Sequence, residues 1–94
     1  MTSKERANLK AQANSLPALF QLGKGGISAA FIRQTEIAFE TRELVKLKVL
    51  TDTSPVTPDD AAREVAEKTN SEVVQVIGGV MIFYKYNPKL HEKK

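Results

Sequence analysis

The chain predicts an α+β fold of the two-layer α/β kind, with elements in the order αβαβαββ around a mixed four-stranded sheet. Three observations carry this. Val45, Leu47 and Val49 alternate with Lys46 and Lys48, a period of two that marks a strand with one apolar and one cationic face. Two apolar runs, Glu72–Ile77 and Val80–Tyr86, flank Gly78-Gly79, a two-residue hairpin signal. Helix signatures separate the remaining strands, so those strands pair in parallel through crossovers while the hairpin adds an antiparallel pair.

Each element has local chemistry behind it. Thr2 with Glu5 three residues later is a capping box and opens a helix to about Asn14, with a thin apolar stripe of Leu9, Ala13 and Leu16. Pro17 follows, and Ala18 to Leu22 is a short strand. A glycine-dense loop, Gly23-Lys24-Gly25-Gly26, leads to Ser28, the N-cap of a second helix to about Arg42. Its stripe is Ile27, Phe31, Thr35, Ala38 and Phe39, which leaves Ile37 and Arg33 on the outward side. Thr57 as N-cap, Pro58 at the first helical position and Asp59-Asp60 in the first turn start a third helix, with stripe Ala62, Val65, Ala66 and Thr69. Asn70 and Ser71 close it. Residues 1–88 form one domain, and 89–94 are expected to be a flexible basic tail.

Composition narrows the function. The chain has 94 residues, no cysteine and one histidine, His91, so disulfides, thiolate metal sites and histidine metal clusters are excluded, and no cofactor is implied. It contains no apolar span of membrane length and begins polar, so a soluble cytoplasmic protein without membrane association is expected. Catalysis lacks a constellation. Asp59-Asp60 is better explained by helix-dipole complementation, Ser28 by capping, and a Walker loop would need GxxxxGK followed by Ser or Thr. No small-molecule substrate is expected.

Charge points to a polyanion. The net charge is +3, but residues 1–50 carry eight basic against four acidic groups, whereas 51–88 carry three against six. In the glycine loop, backbone N–H groups lie uncovered, Lys24 supplies a point charge, and the helix starting at Ser28 presents its positive dipole end. Lys46 and Lys48 project away from a helix layer packed on the apolar side of their strand, which makes them phosphate contacts or guards against edge pairing. Most of the six aromatic residues fit core positions, so recognition of backbone and shape is expected over base stacking.

The segments Lys4-Glu5-Arg6 with Leu9-Lys10 and Ala13, Leu22-Gly23-Lys24-Gly25-Gly26-Ile27, Glu43 to Val49, Val74 to Gly78, and Phe83-Tyr84-Lys85 together resemble the YhbY family. That family is the free-standing bacterial form of the CRM (chloroplast RNA splicing and ribosome maturation) domain. The resemblance spans about residues 2 to 88. It implies a fold similar to the C-terminal domain of translation initiation factor three, with strand order 1-2-4-3, and places the family's GxxG loop at Gly23 to Gly26. It also implies RNA binding to ribosomal RNA precursor and a role in large-subunit assembly. Arg42 stands where the family often has His, and Glu5 where it often has Gln.

The expected RNA contacts are Gly23, Lys24, Gly25, Gly26, Ser28, Arg33, Lys46, Lys48, Lys10, Arg6 and Lys4, in a monomer without metal. The competing reading is a protein-interaction module docking on ribosomal proteins or an assembly factor, served by the acidic third helix and outward Ile37.

Overall fold

The computed structural model describes residues 1–91. Its elements are α1 (Ser3–Ala13), β1 (Gln21–Leu22), α2 (Ala29–Thr41), β2 (Leu44–Val49), α3 (Pro58–Thr69), β3 (Glu72–Ile77), β4 (Val80–Tyr84) and a closing 3₁₀ turn, Pro88–His91. All three helix starts follow from their caps. Thr2 and Glu5 form the reciprocal capping box, the Ser28 hydroxyl accepts from the Phe31 N–H at 3.1 Å, and the Thr57 hydroxyl accepts from the Asp60 N–H. Asn70 ends α3 in the left-handed conformation, φ 56°.

The sheet runs β1-β2-β4-β3, the order expected, with β1 parallel to β2 and the other pairs antiparallel. Strand β1 is short, yet its pairing begins earlier: the Leu19 N–H donates to the Lys46 carbonyl and the Lys48 N–H to the Phe20 carbonyl. Gly78 and Gly79, at φ 55° and 81°, make the mirror-image turn whose twist suits a two-residue hairpin.

Two apolar clusters hold the layers. On one face, Val45, Leu47, Val49, Met81 and Phe83 pack against Phe31 and Phe39 of α2 and Ala61, Ala62 and Val65 of α3. On the reverse face Val74 and Ile82 meet Ala13, with Leu9, Leu44, Val80 and Tyr84 around them. Helix α1 therefore covers part of the face that the alternation left to Lys46 and Lys48. Lys48 is exposed as expected; Lys46 is not free.

Residues 87–91 dock on the end of α2: the Asn87 N–H donates to Glu43 Oε2 at 2.7 Å, its amide to the Phe39 and Glu40 carbonyls at 3.2 Å, and His91 Nε2 lies 3.0 Å from both Glu43 oxygens. The His91 and Tyr86 rings stack at 5.1 Å. Residues 92–94 lie outside the described residues.

A methyl group at Gly79 would sit 3.0 Å from the Val49 carbonyl oxygen, on a residue already at positive φ, whereas one at Gly25 meets nothing within 4 Å. Gly79→Ala is expected to lower unfolding stability by about 1–3 kcal/mol, and Gly25→Ala by less than about 0.5 kcal/mol, in urea titrations. The Glu43 carboxyl is held below its ordinary value of 4.5, chiefly by the Asn87 N–H, with burial opposing and His91 assisting. Its folded pKa is depressed, so the stability it adds is present above the unfolded value and lost as pH falls through the folded one. The Asn87 amide resonance should report that loss on acidification, and Glu43→Gln should remove the acid step from its titration.

Candidate nucleic-acid interface

The glycine turn is anchored at both ends. Leu22 is buried, the Leu50 N–H donates to its carbonyl at 2.8 Å, and the Gly26 N–H closes the turn onto the Gly23 carbonyl at 3.0 Å. Lys24 and Gly25 are left at the exposed tip. Gly26, at φ 66°, packs so closely that a Cβ would lie 3.0 Å from Pro55 Cγ. The turn is thus wedged against the loop after β2, and its tip faces solvent.

From that tip the chain passes directly into α2. The Ser28 side chain satisfies the Phe31 N–H and the Ser28 carbonyl accepts from Ile32, while the Ala29 and Ala30 N–H groups have no acceptor among the described residues. No acidic residue lies in the first turn of α2, whereas Glu5 occupies that of α1 and Asp59 and Asp60 that of α3. The positive end of the α2 dipole is accordingly uncompensated beside Lys24.

Sheet register adds Lys48. It pairs with Gln21, and Leu22 with Val49, so Lys48 and Gln21 share a face one residue before the turn begins. Both are exposed. Arg33 is exposed on α2, about 7 Å along the helix axis from Ser28 by its rise per residue. Lys4, Lys10, Lys24, Arg33 and Lys48 form no ion pair with the described residues; the pairs present are Asp60–Arg63, Glu64–Lys68 and Glu43–His91.

Two of the expected contact residues are engaged by the fold itself. Lys46 Nζ donates to the Ala13 carbonyl at 3.3 Å and the Leu16 carbonyl at 3.0 Å, neutralising the C-terminal end of α1. Arg6 Nη1 donates to the Val73 and Val74 carbonyls at 2.9 and 2.8 Å, where an irregularity in β3 between Val73 and Gln75 turns them toward it. Arg6 is thereby fixed at the edge opposite β1, about 14 Å across the sheet by strand spacing. Lys24 stands at the tip of the turn on the way into α2, Lys48 on the α1 side of the sheet edge beside it, and Lys4 and Lys10 lie on α1.

Sequence periodicity missed these two anchors because a lysine or arginine outside a strand's apolar face reads as solvated. The signal lay in β4, where Met81, Ile82 and Phe83 are consecutive. An unbroken apolar run in a strand requires cover on both faces, and α1 was the helix left to supply it.

The model of the CRS1/YhbY (CRM) domain matches residues 1–85. The chain belongs to this family. A relative from Bacillus subtilis (strain 168), named "Probable RNA-binding protein YqeI", is 35% identical over 85 residues, 90% of this chain and 88% of its own. The solution structure of SAV1595 from Staphylococcus aureus, described as "a putative RNA binding protein", superposes with a TM-score of 0.76 at 36% identity. That match covers 93% of this CRM-domain chain and 90% of the other.

The two anchors set a prediction. Arg6→Ala leaves two part-buried carbonyls without a charged donor and is expected to lower unfolding stability by about 1–3 kcal/mol in urea, and Lys46→Ala, whose acceptors are one exposed carbonyl and one that keeps the Leu16 N–H, by about 0.5–1.5 kcal/mol. Lys48→Ala, which removes no hydrogen bond, should be close to neutral in the same titration.

Proposed function

We propose that this protein binds RNA without catalysing a reaction, gripping phosphates at the glycine turn Gly23–Gly26, and that its target is the ribosomal RNA precursor of the large subunit during assembly. The observation that carries the reading is the junction of Lys24, the exposed turn and the acid-free start of α2, with Lys48 on the other face of the adjoining sheet edge. A phosphate at this junction meets open amides, a helix dipole and an unpaired ammonium together. Arg33 stands further along α2, and Lys4 and Lys10 extend the attraction toward α1.

Lysines without positioned acceptors attract a backbone rather than read bases, so this junction recognises RNA shape. The relatives' names, "Probable RNA-binding protein YqeI" and "a putative RNA binding protein", support the partner class; the ribosomal target follows from the resemblance to the YhbY family. The protein acts in the cytoplasm as a monomer. Among the described residues no helix is long and apolar enough to cross a membrane.

Ile37, 49% exposed on the outward side of α2, favours protein docking as a second reading. Salt separates the two. RNA binding falls steeply with ionic strength, each neutralised phosphate contributing about 0.7–0.9 to the logarithmic slope. Lys24→Ala is expected to weaken binding to a structured ribosomal RNA fragment and reduce the slope by about one contact. Gly25→Asp, which puts an anion at the tip without a steric clash, should weaken it further. Affinity and slope unchanged in both variants would count against the turn, and a salt-insensitive complex with ribosomal proteins would favour docking through Ile37. Crosslinking in cells with sequencing of the attached RNA identifies the target.

A further inference from the structure

A cavity lies away from the glycine turn. A groove of about 890 Å³ opens between the end of α1, the segment leading to β1 and the start of β2, a volume in the usual range of ligand sites. Leu9, Leu16, Pro17, Leu19 and Leu44 form its apolar walls together with the Tyr84 ring. Leu16 and Leu19 are each 37% exposed, so apolar surface is left open here.

Arg42 and Tyr84 bring free donors to this groove. Arg42, at the extended C-cap of α2, is exposed, and its guanidinium forms no hydrogen bond or ion pair with the described residues. The Tyr84 hydroxyl likewise has no partner among the described residues, and burial, with the Glu43 charge next, keeps its pKa above the ordinary value, so it stays a donor at neutral pH. Lys46 lines the floor while holding α1. Glu43 also lines the groove, but its oxygens are occupied by Asn87 and His91, and Arg42 and Lys46 together outweigh its charge.

Apolar walls wide enough for a flat ring, with unpaired donors and a net positive rim, suit a ligand that has a planar apolar body, acceptor edges and an anionic group. We propose that the groove takes one unstacked RNA nucleotide, its base against the leucines and Tyr84 and its phosphate on Arg42. This rests on the RNA-binding reading and adds a base-contacting site to it. Strand β2 runs from Leu44 at the groove to Val49 beside the glycine turn, about 17 Å by the rise per residue, so a short single strand could occupy both places. An uncharged apolar peptide would leave Arg42 without a partner.

The test uses the full chain and two RNAs: a blunt duplex, and the same duplex with a single-stranded flank. Arg42→Ala is expected to weaken binding of the flanked RNA about tenfold, the effect of one bidentate contact, while leaving the blunt duplex within twofold. Arg42→Lys should restore only part of the loss, since an ammonium cannot make the forked contact. In amide NMR spectra, ribonucleoside 5′-monophosphates added singly should shift Leu16, Leu19, Arg42 and Tyr84. Tyr84→Phe, which keeps the ring, should reduce these shifts without unfolding the chain.

Equal affinity of wild type and Arg42→Ala for the flanked RNA would overturn the groove assignment. So would shifts confined to the glycine turn, or a groove that responds to an acidic leucine-rich peptide and to none of the nucleotides. Failure of the wild type to bind either RNA would instead overturn the RNA-binding reading on which the groove depends.

Discussion

Strand β4 has no face to spare for water. Met81, Ile82 and Phe83 follow one another with exposures of 0%, 3% and 0%, and successive side chains in a strand point to opposite sides. Burial of each is worth about 1.5–3 kcal/mol, so leaving either side open would forfeit a large part of a small domain's stability. Helices α2 and α3 cover the Met81 and Phe83 side, and α1 must cover Ile82. The central place of β4, between β2 and β3, follows from the same demand, because an edge position would expose it.

That demand explains why α1 recruits polar anchors. Its apolar stripe is thin: Ala13 is its one buried residue, with Leu9 beside it. A helix with so little to bury gains little from packing alone, and two charge-assisted contacts supplement it at opposite ends. Arg6 ties the N-terminal half to the irregular stretch of β3, and Lys46 ties the C-terminal end to β2. Two of the cations that make the first half of the chain basic are therefore structural. The cationic surface left for a partner is smaller than composition suggests.

What the sequence made legible divides along the same line. Caps, turns and alternation depend on neighbours three or four residues apart, so Thr2, Ser28, Thr57, Asn70 and Gly78-Gly79 could each be placed from local chemistry, and the glycine turn emerged with Lys24 at its tip. The outward position of Ile37 was legible from helical period alone. Long-range contacts were not. Nothing near Lys46 in sequence indicates that its ammonium reaches carbonyls 30 and 33 residues earlier, or that Glu43 holds Asn87 and His91. The groove was hidden for the same reason, since Leu16 belongs to one helix's stripe by spacing but lies past the end of that helix at Ala13.

The glycine turn and the sheet's twofold cover are linked through one segment. Residues 14–20 leave α1 on one face, and β1 delivers the chain to α2 on the other, so the chain must cross the sheet edge just before the turn. Leu22, buried on the α2 side, and Gln21, exposed on the α1 side, mark that crossing. The turn therefore sits at the rim where both faces meet, wedged by Pro55 and held by the Leu50 N–H. An extended anion at such a rim can reach the α2 terminus on one side and Lys48 on the other without entering the core. The same apolar demand that fixes β4 thus leaves the turn at the rim of the fold, where amides and a lysine can face solvent at no cost to packing.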